Sequence, residues 1–244
     1  MNSWRGVLKF VAHGKLVQRM AARSGWHPAA RYTNLRDVRR SKFSGRGFLD
    51  IDWKNYDFVR HLAAVRDTKP LITVARDIER MSQIESVLRE AEQLAQYASR
   101  VVIVPKAIRL ASIMESEIPT NYLLGYSVPT KYGGTRIAPE SFRRPVHLLG
   151  GRPDVQRRLA EVMQVVSFDC NRFTLDAAFG DYFDGSIFRP HPSGGYENCL
   201  RESLKNICDI WSDYGIGDSQ QCRGEEGLCK TEGTNSSLKS IGRC

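Results

Sequence analysis

The sequence predicts an α/β fold with a parallel sheet, a (β/α) barrel ahead of a doubly wound open sheet. Three observations predict it. Short apolar runs rich in β-branched residues recur, Leu71-Ile-Thr-Val-Ala75 and Val101-Val-Ile-Val104 being the clearest, and such continuous apolarity marks strands buried on both faces. Six strand-like runs alternate with helical or loop segments at intervals of about 20 to 30 residues, the rhythm of βα units. Finally, Pro145-Val-His-Leu-Leu-Gly-Gly-Arg-Pro153 and Val165-Val-Ser-Phe-Asp-Cys-Asn171 flank a segment with Val155, Leu159, Val162 and Met163 at helical spacing, opened by a proline suited to a first turn. A strand, helix, strand unit of this kind implies parallel pairing.

The elements follow in order. Residues 1–45 form a strongly basic segment that includes Arg5, Lys9, Lys15, Arg19, Arg23, Arg31 and Lys42. Residues 46–217 make up the barrel, which the basic segment is free to complete. Gly47-Phe-Leu-Asp-Ile-Asp52 reads as a strand and 56–66 as a short helix with Val59, Leu62, Ala63 and Val65. Leu71–Ala75 is a strand ending at Arg76-Asp77. The clearest helix spans 82–100, with Ile84, Val87, Leu88, Ala91, Leu94 and Ala95 on one stripe. Val101–Val104 ends at Pro105-Lys106, and Tyr122-Leu-Leu-Gly-Tyr126 precedes a loop through Gly133-Gly134. An amphipathic helix over 196–213 carries Leu200, Leu204, Ile207 and Trp211. Residues 218–244 have almost nothing to bury and read as disordered.

A chain of 244 residues, 41% hydrophobic, is long enough for one α/β domain with a sizeable core. No apolar run approaches a membrane span and no apolar leader opens the chain, so it reads as soluble and cytoplasmic, with no membrane partner. The formal net charge of +9 and a pI near 9.4 favour a polyanionic partner such as nucleic acid. Arg143-Arg144 and Arg157-Arg158 suit phosphates, although a solvated basic face explains each almost as well. Cys170, Cys199, Cys208, Cys222, Cys229 and Cys244 include no C-x-x-C pair, which favours free thiols over a metal site. No nucleotide-binding glycine loop is present, and no cofactor is expected.

In parallel α/β folds, chemistry collects just past the carboxyl ends of the strands. Asp169 occupies such an end and is the first candidate; its bland alternative is a cap for the next helix. Asp50 and Asp52 end another strand and compete with a turn role, Asp77 with a solvated ion-pair role, and Lys106 with a surface role. Gly150 and Gly151 are also compatible with a tight turn. His147, within an apolar strand, reads as a core histidine.

The order of strand ends resembles the tRNA-guanine transglycosylase superfamily, and within it the phage and bacterial enzymes that install 7-deazaguanines in DNA. The stretches that carry the resemblance are Phe48-Leu-Asp50, Ile72-Thr-Val-Ala-Arg-Asp77, Leu124-Gly-Tyr-Ser127, His147-Leu-Leu-Gly150 and Phe168-Asp-Cys170, over roughly residues 45–190. It implies a TIM-like barrel and a base exchange in which guanine leaves DNA and a preQ0-type base enters, shielding phage DNA from host restriction. Asp169 would be the nucleophile at the anomeric carbon and Asp50, with Asp52 close behind, the proton donor and acceptor. Asp77 would accept hydrogen bonds from the edge of the base, Lys106 would meet its carbonyl or a phosphate, and Gly125 would let backbone approach it. Tyr126 or Phe168 would stack on the flipped base. DNA and a 7-deazaguanine are thus the expected partners. The family's zinc cluster is missing, which favours DNA over tRNA, and Asp50-Ile-Asp52-Trp53 replaces its Asp-Ser-Gly motif, which leaves the identity of the base open. Two alternatives stay open: a small-molecule barrel lyase forming a Schiff base on Lys106, and a non-catalytic DNA-binding protein.

Overall fold

The β-branched and apolar runs become the staves of a closed parallel barrel. This is seen in a computed structural model that describes residues 6–36, 38, 42–131 and 133–215. Eight strands follow in chain order: β1 (Leu8–Val11), β2 (His27–Arg31), β3 (Phe48–Asp50), β4 (Ile72–Val74), β5 (Arg100–Ile103), β6 (Leu123–Ser127), β7 (Val146–Leu149) and β8 (Val165–Asp169). Each is hydrogen-bonded to its sequence neighbour, and β1 also pairs with β8, with Phe10 aligned to His27 on one side and Asp169 on the other. Closure leaves no strand edge unpaired.

The protein is therefore a TIM-like (β/α) barrel. Its first two strands come from the basic segment, which thus completes the barrel. The helices are α1 (Lys15–Arg23), α2 (Phe58–Thr68), α3 (Ile84–Ala95), α4 (Met114–Glu117), α5 (Pro153–Leu159), α6 (Arg172–Ala177) and α7 (Tyr196–Ile210). Asp57 starts α2 by accepting the Arg60 N–H at 3.1 Å, the usual service of an N-cap carboxylate. In α3 the expected stripe packs inward, with Val87, Ala91 and Leu94 fully buried. That helix ends at Ala95, and the four residues that follow turn the chain into β5. The barrel is irregular: among the described residues, no α-helix joins β2 to β3 or β6 to β7. A hairpin of β9 (Asp181–Phe183) and β10 (Phe188–Pro190), absent from the sequence reading, packs with α6 against α7. The segment 218–244, read above as disordered, lies outside the described residues.

The interior is filled by rings from strands that are not neighbours in the barrel. Phe10 of β1 and Phe48 of β3 lie 5.6 Å apart, and His147 of β7 lies 4.6 Å from Phe48. Only inward-pointing side chains can meet in this way. At the β7–β8 seam the register shifts, Val146 facing Val165 but His147 facing Ser167, so Val166 is the extra residue. Beyond that shift Ser167 and Asp169 share the inward phase of His147, while Phe168 points outward. There it stacks on Trp211 at 4.8 Å and meets Trp26 edge-on.

Candidate active site

The last inward residues of β2, β3 and β8 are Arg31, Asp50 and Asp169, and they converge at the carboxyl end of the barrel. Asp169 is buried, 6% exposed, and is held from several sides. The Gly150 N–H donates to its Oδ1 at 2.9 Å, and Asn171 Nδ2 approaches its Oδ2 at 3.5 Å. Gln156 of α5 braces the backbone beneath, its amide donating to the carbonyls of Asp169 at 2.8 Å and Gly150 at 2.7 Å. Gly150 and Gly151 take left-handed backbone, φ 62° and 93°, which aims the Gly150 N–H at the carboxylate. A Cβ on Gly151 would stand 2.7 Å from that of Val128. Both glycines thus scaffold the Asp169 side of the site.

His147 completes this wall from below. Its Nδ1 is 2.8 Å from Ser167 Oγ, while its fully buried Nε2 has no hydrogen-bond partner and lies 3.8 Å from Asp169 Oδ1. The core histidine of the sequence analysis is thus a core histidine aimed at the candidate nucleophile. Gln156 had no signal in the sequence, where it reads as an ordinary polar position on a helix.

Asp50 sits across from Asp169, and its carboxyl is pushed up from 3.8 to about 7. Burial is the main cause and the Asp169 carboxylate the second; the Ile51 N–H, donating at 2.8 Å, and Arg31, 3.9 Å away, oppose them in part. An acid of this kind holds its proton near neutrality and can also give it up. Asp52, the alternative, turns into the following loop and accepts the Lys54 N–H at 3.3 Å. Of the two, Asp50 is the one beside Asp169.

Asp77 and Lys106, past the ends of β4 and β5, form an ion pair at 2.6 Å with both side chains mostly buried. Burial raises the Asp77 carboxyl against the opposing pull of Lys106, and its charge reaches Asp50. The exposed indole of Trp53, 53% accessible, lies between Lys54 (5.2 Å) and Lys106 (5.9 Å) at this rim. Sequence reasoning missed Trp53, although it directly follows the Asp50-Ile-Asp52 cluster.

Three expectations are corrected. Tyr126 does not face the site: Gly125 pairs with inward His147, so Tyr126 points outward, where it is buried edge-on against Phe142 at 5.2 Å. Phe168 is likewise under the outer helices. The space at Gly125 is taken by protein, since a Cβ there would fall 2.6 Å from Val102 Cγ1 and 2.7 Å from Val104 Cγ2. Three arginines of the basic pairs are engaged within the protein: Arg157 donates to the Ile210 carbonyl at 2.9 Å, Arg158 meets Asp154, and Arg144 meets Glu115. Cys170, Cys199 and Cys208 are free, and burial pushes the Cys170 thiol up to about 12, away from the thiolate form. Cys222, Cys229 and Cys244 lie outside the described residues.

A family of unknown function (DUF6610) matches residues 21–212. The chain belongs to that family. No curated protein matches it in sequence. Among solved structures it is similar to the YdjI aldolase from Escherichia coli K12, with a TM-score of 0.50 and 9% identity over 88% of this chain and 94% of that one. Likeness at that identity shows the shared barrel. No helix among the described residues is long and apolar enough to cross a membrane.

Proposed function

We propose that this protein is a base-exchange enzyme acting on DNA, replacing guanine by a 7-deazaguanine of the preQ0 type through an aspartyl-glycosyl intermediate. The observation that carries the reading is the pair Asp169 and Asp50 at the mouth of the barrel, one carboxyl addressed by N–H donors and the other holding a proton up to about pH 7. Two neighbouring carboxyl groups, one fixed by N–H donors and the other able to hold and release a proton, are what a double displacement at an anomeric carbon requires.

In the first step an Asp169 oxygen bonds to C1′ of the target nucleotide as the C1′–N9 bond breaks. The bonding pair leaves with guanine, which takes the Asp50 proton. In the second step the ionised Asp50 removes the N9 proton of the incoming base, whose nitrogen attacks C1′ and releases Asp169. Two inversions retain the sugar configuration. The Asp77–Lys106 pair offers an acceptor and a donor side by side, suited to the N–H and carbonyl edge of a guanine-like ring. Trp53 supplies the flat face on which an extruded base stacks. Protection of phage DNA from restriction in the host cytoplasm is the role the family resemblance implies.

The test is incubation of the protein with DNA and preQ0, followed by digestion to nucleosides and mass spectrometry. Appearance of the deazaguanosine supports the reading; unchanged guanosine with folded protein overturns it. The lyase alternative requires Lys106 to leave its ion pair with Asp77, and borohydride trapping of a carbonyl compound on Lys106 would establish it instead.

A further inference from the structure

Next to the acid pair, and outside it, lies a cleft of about 450 Å³ past the ends of β1 and β2. Its polar walls are His13, Gln18, Arg31, Asn34 and Asn171, with half-exposed Leu175 at the edge, and no carboxylate lines it. We infer that this cleft holds the phosphodiester adjoining the target nucleotide, so that a single DNA strand is gripped by its backbone while its sugar reaches Asp169. The inference rests on the base-exchange reading and assigns a subsite that reading leaves open.

Two shared walls tie the cleft to the chemistry. Asn171 accepts the Ala12 N–H through Oδ1 at 2.8 Å, and its Nδ2 faces Asp169 at 3.5 Å, so one side chain separates cleft from nucleophile. Arg31 lines the cleft and stands 3.9 Å from Asp50, at ion-pair rather than hydrogen-bond distance, with 58% of its side chain exposed. A strand bonded through C1′ to Asp169 has its phosphates one sugar ring away, and the cleft adjoins Asp169 across Asn171. The chemical division also fits: a guanidinium and amide side chains suit an anion, whereas the pit beside them is acidic and suits a sugar and base. Arg31 at the boundary offsets the repulsion that the acids would exert on a phosphate. Leu175 gives the sugar or a neighbouring base an apolar edge.

The test measures binding of a short single-stranded DNA carrying one guanine, by fluorescence anisotropy over a salt series. Gln18→Glu and Asn34→Asp each place a carboxylate in the cleft at nearly constant size, on two separate segments, and Gln93→Glu adds the same charge on α3. Each cleft variant is expected to bind about tenfold more weakly and to lower the log–log salt slope by about 0.7, the share of one phosphate on a single strand. Gln93→Glu should match the unsubstituted protein. Uncharged methylphosphonate linkages beside the guanine should weaken binding to the unsubstituted protein but add little to the loss in the cleft variants. Melting curves identify any variant that fails to fold, and either cleft variant alone suffices. Unchanged affinity and slope in folded cleft variants overturn the subsite while leaving base exchange standing. Binding that follows the expected pattern with no exchange of guanine overturns the exchange reading and leaves the subsite standing. Absence of binding to any strand overturns both.

Discussion

The two sides of the barrel mouth are built differently. On the β7–β8 side Asp169 is fixed by Gly150, Asn171 and, through the backbone, Gln156, with His147 packed beneath. On the β3–β5 side the groups are Asp50, the Asp77–Lys106 pair and the exposed Trp53, held by a three-residue strand and by charge rather than by a lattice of hydrogen bonds. A bond-forming oxygen needs one position, and the first wall supplies it. In the proposed exchange, proton transfer and recognition of two different bases need groups that can adjust, and the second wall offers those. The difference matches the division between nucleophile and acid in the proposed exchange.

Breaking the fixed wall should give the largest effect. Asp169→Asn is expected to lower exchange by about 10⁴-fold or more and to abolish any covalent DNA adduct, read by radiolabelled guanine release and denaturing gels. On the adjustable wall, Asp50→Asn should lower exchange by about 10²- to 10⁴-fold. With Asp50 present, turnover should fall as pH rises through about 7, where the proton is lost, and the variant should lack that limb.

The same substitution separates stability from activity. The raised carboxyl contributes stability in full below its unfolded value of 3.8, and that contribution is lost as pH rises through about 7. Asp50→Asn should therefore melt higher than the unsubstituted protein at pH 8, by about 3 °C, with a smaller gain at pH 5. Scanning calorimetry at the two pH values decides it. A lower melting point at pH 8 would remove the basis for treating Asp50 as the acid.

Trp53→Ala should weaken DNA binding about tenfold, the worth of one stacked base, and leave the melting point unchanged because the indole is exposed. The smallest effect tests the scaffold of the fixed wall. Gln156→Leu strips the donor from two buried carbonyls and should cost about 1–3 kcal/mol in urea denaturation. A cost this size without loss of exchange would show that Asp169 needs less bracing than the geometry implies.

Much of the barrel was legible. Runs such as Ile72–Val74 and Val101–Ile103 declare buried strands by composition alone, and Asp50, Asp77, Lys106 and Asp169 declare themselves by standing at strand ends. β2 did not, because His27-Pro-Ala-Ala-Arg31 has weak strand propensity and is made a strand by its neighbours. Side-chain direction was the other gap. Tyr126 and Phe168 are the right residue type one step out of phase, and the phase follows from pairing partners far away in the chain. Gln156 owes its place to tertiary contacts that no local pattern encodes, whereas Trp53 had a local signal in its position after Asp52.

The extra residue at Val166 has a consequence for how such a protein could change. Paired without that shift, the same sequence would set Val166 and Phe168 opposite His147 and Leu149, so that an aromatic ring entered the interior and the acid turned toward the outer helices. In related chains the aim of the acid would then hinge on whether this seam absorbs its extra residue, which a comparison of aligned residue types alone would overlook.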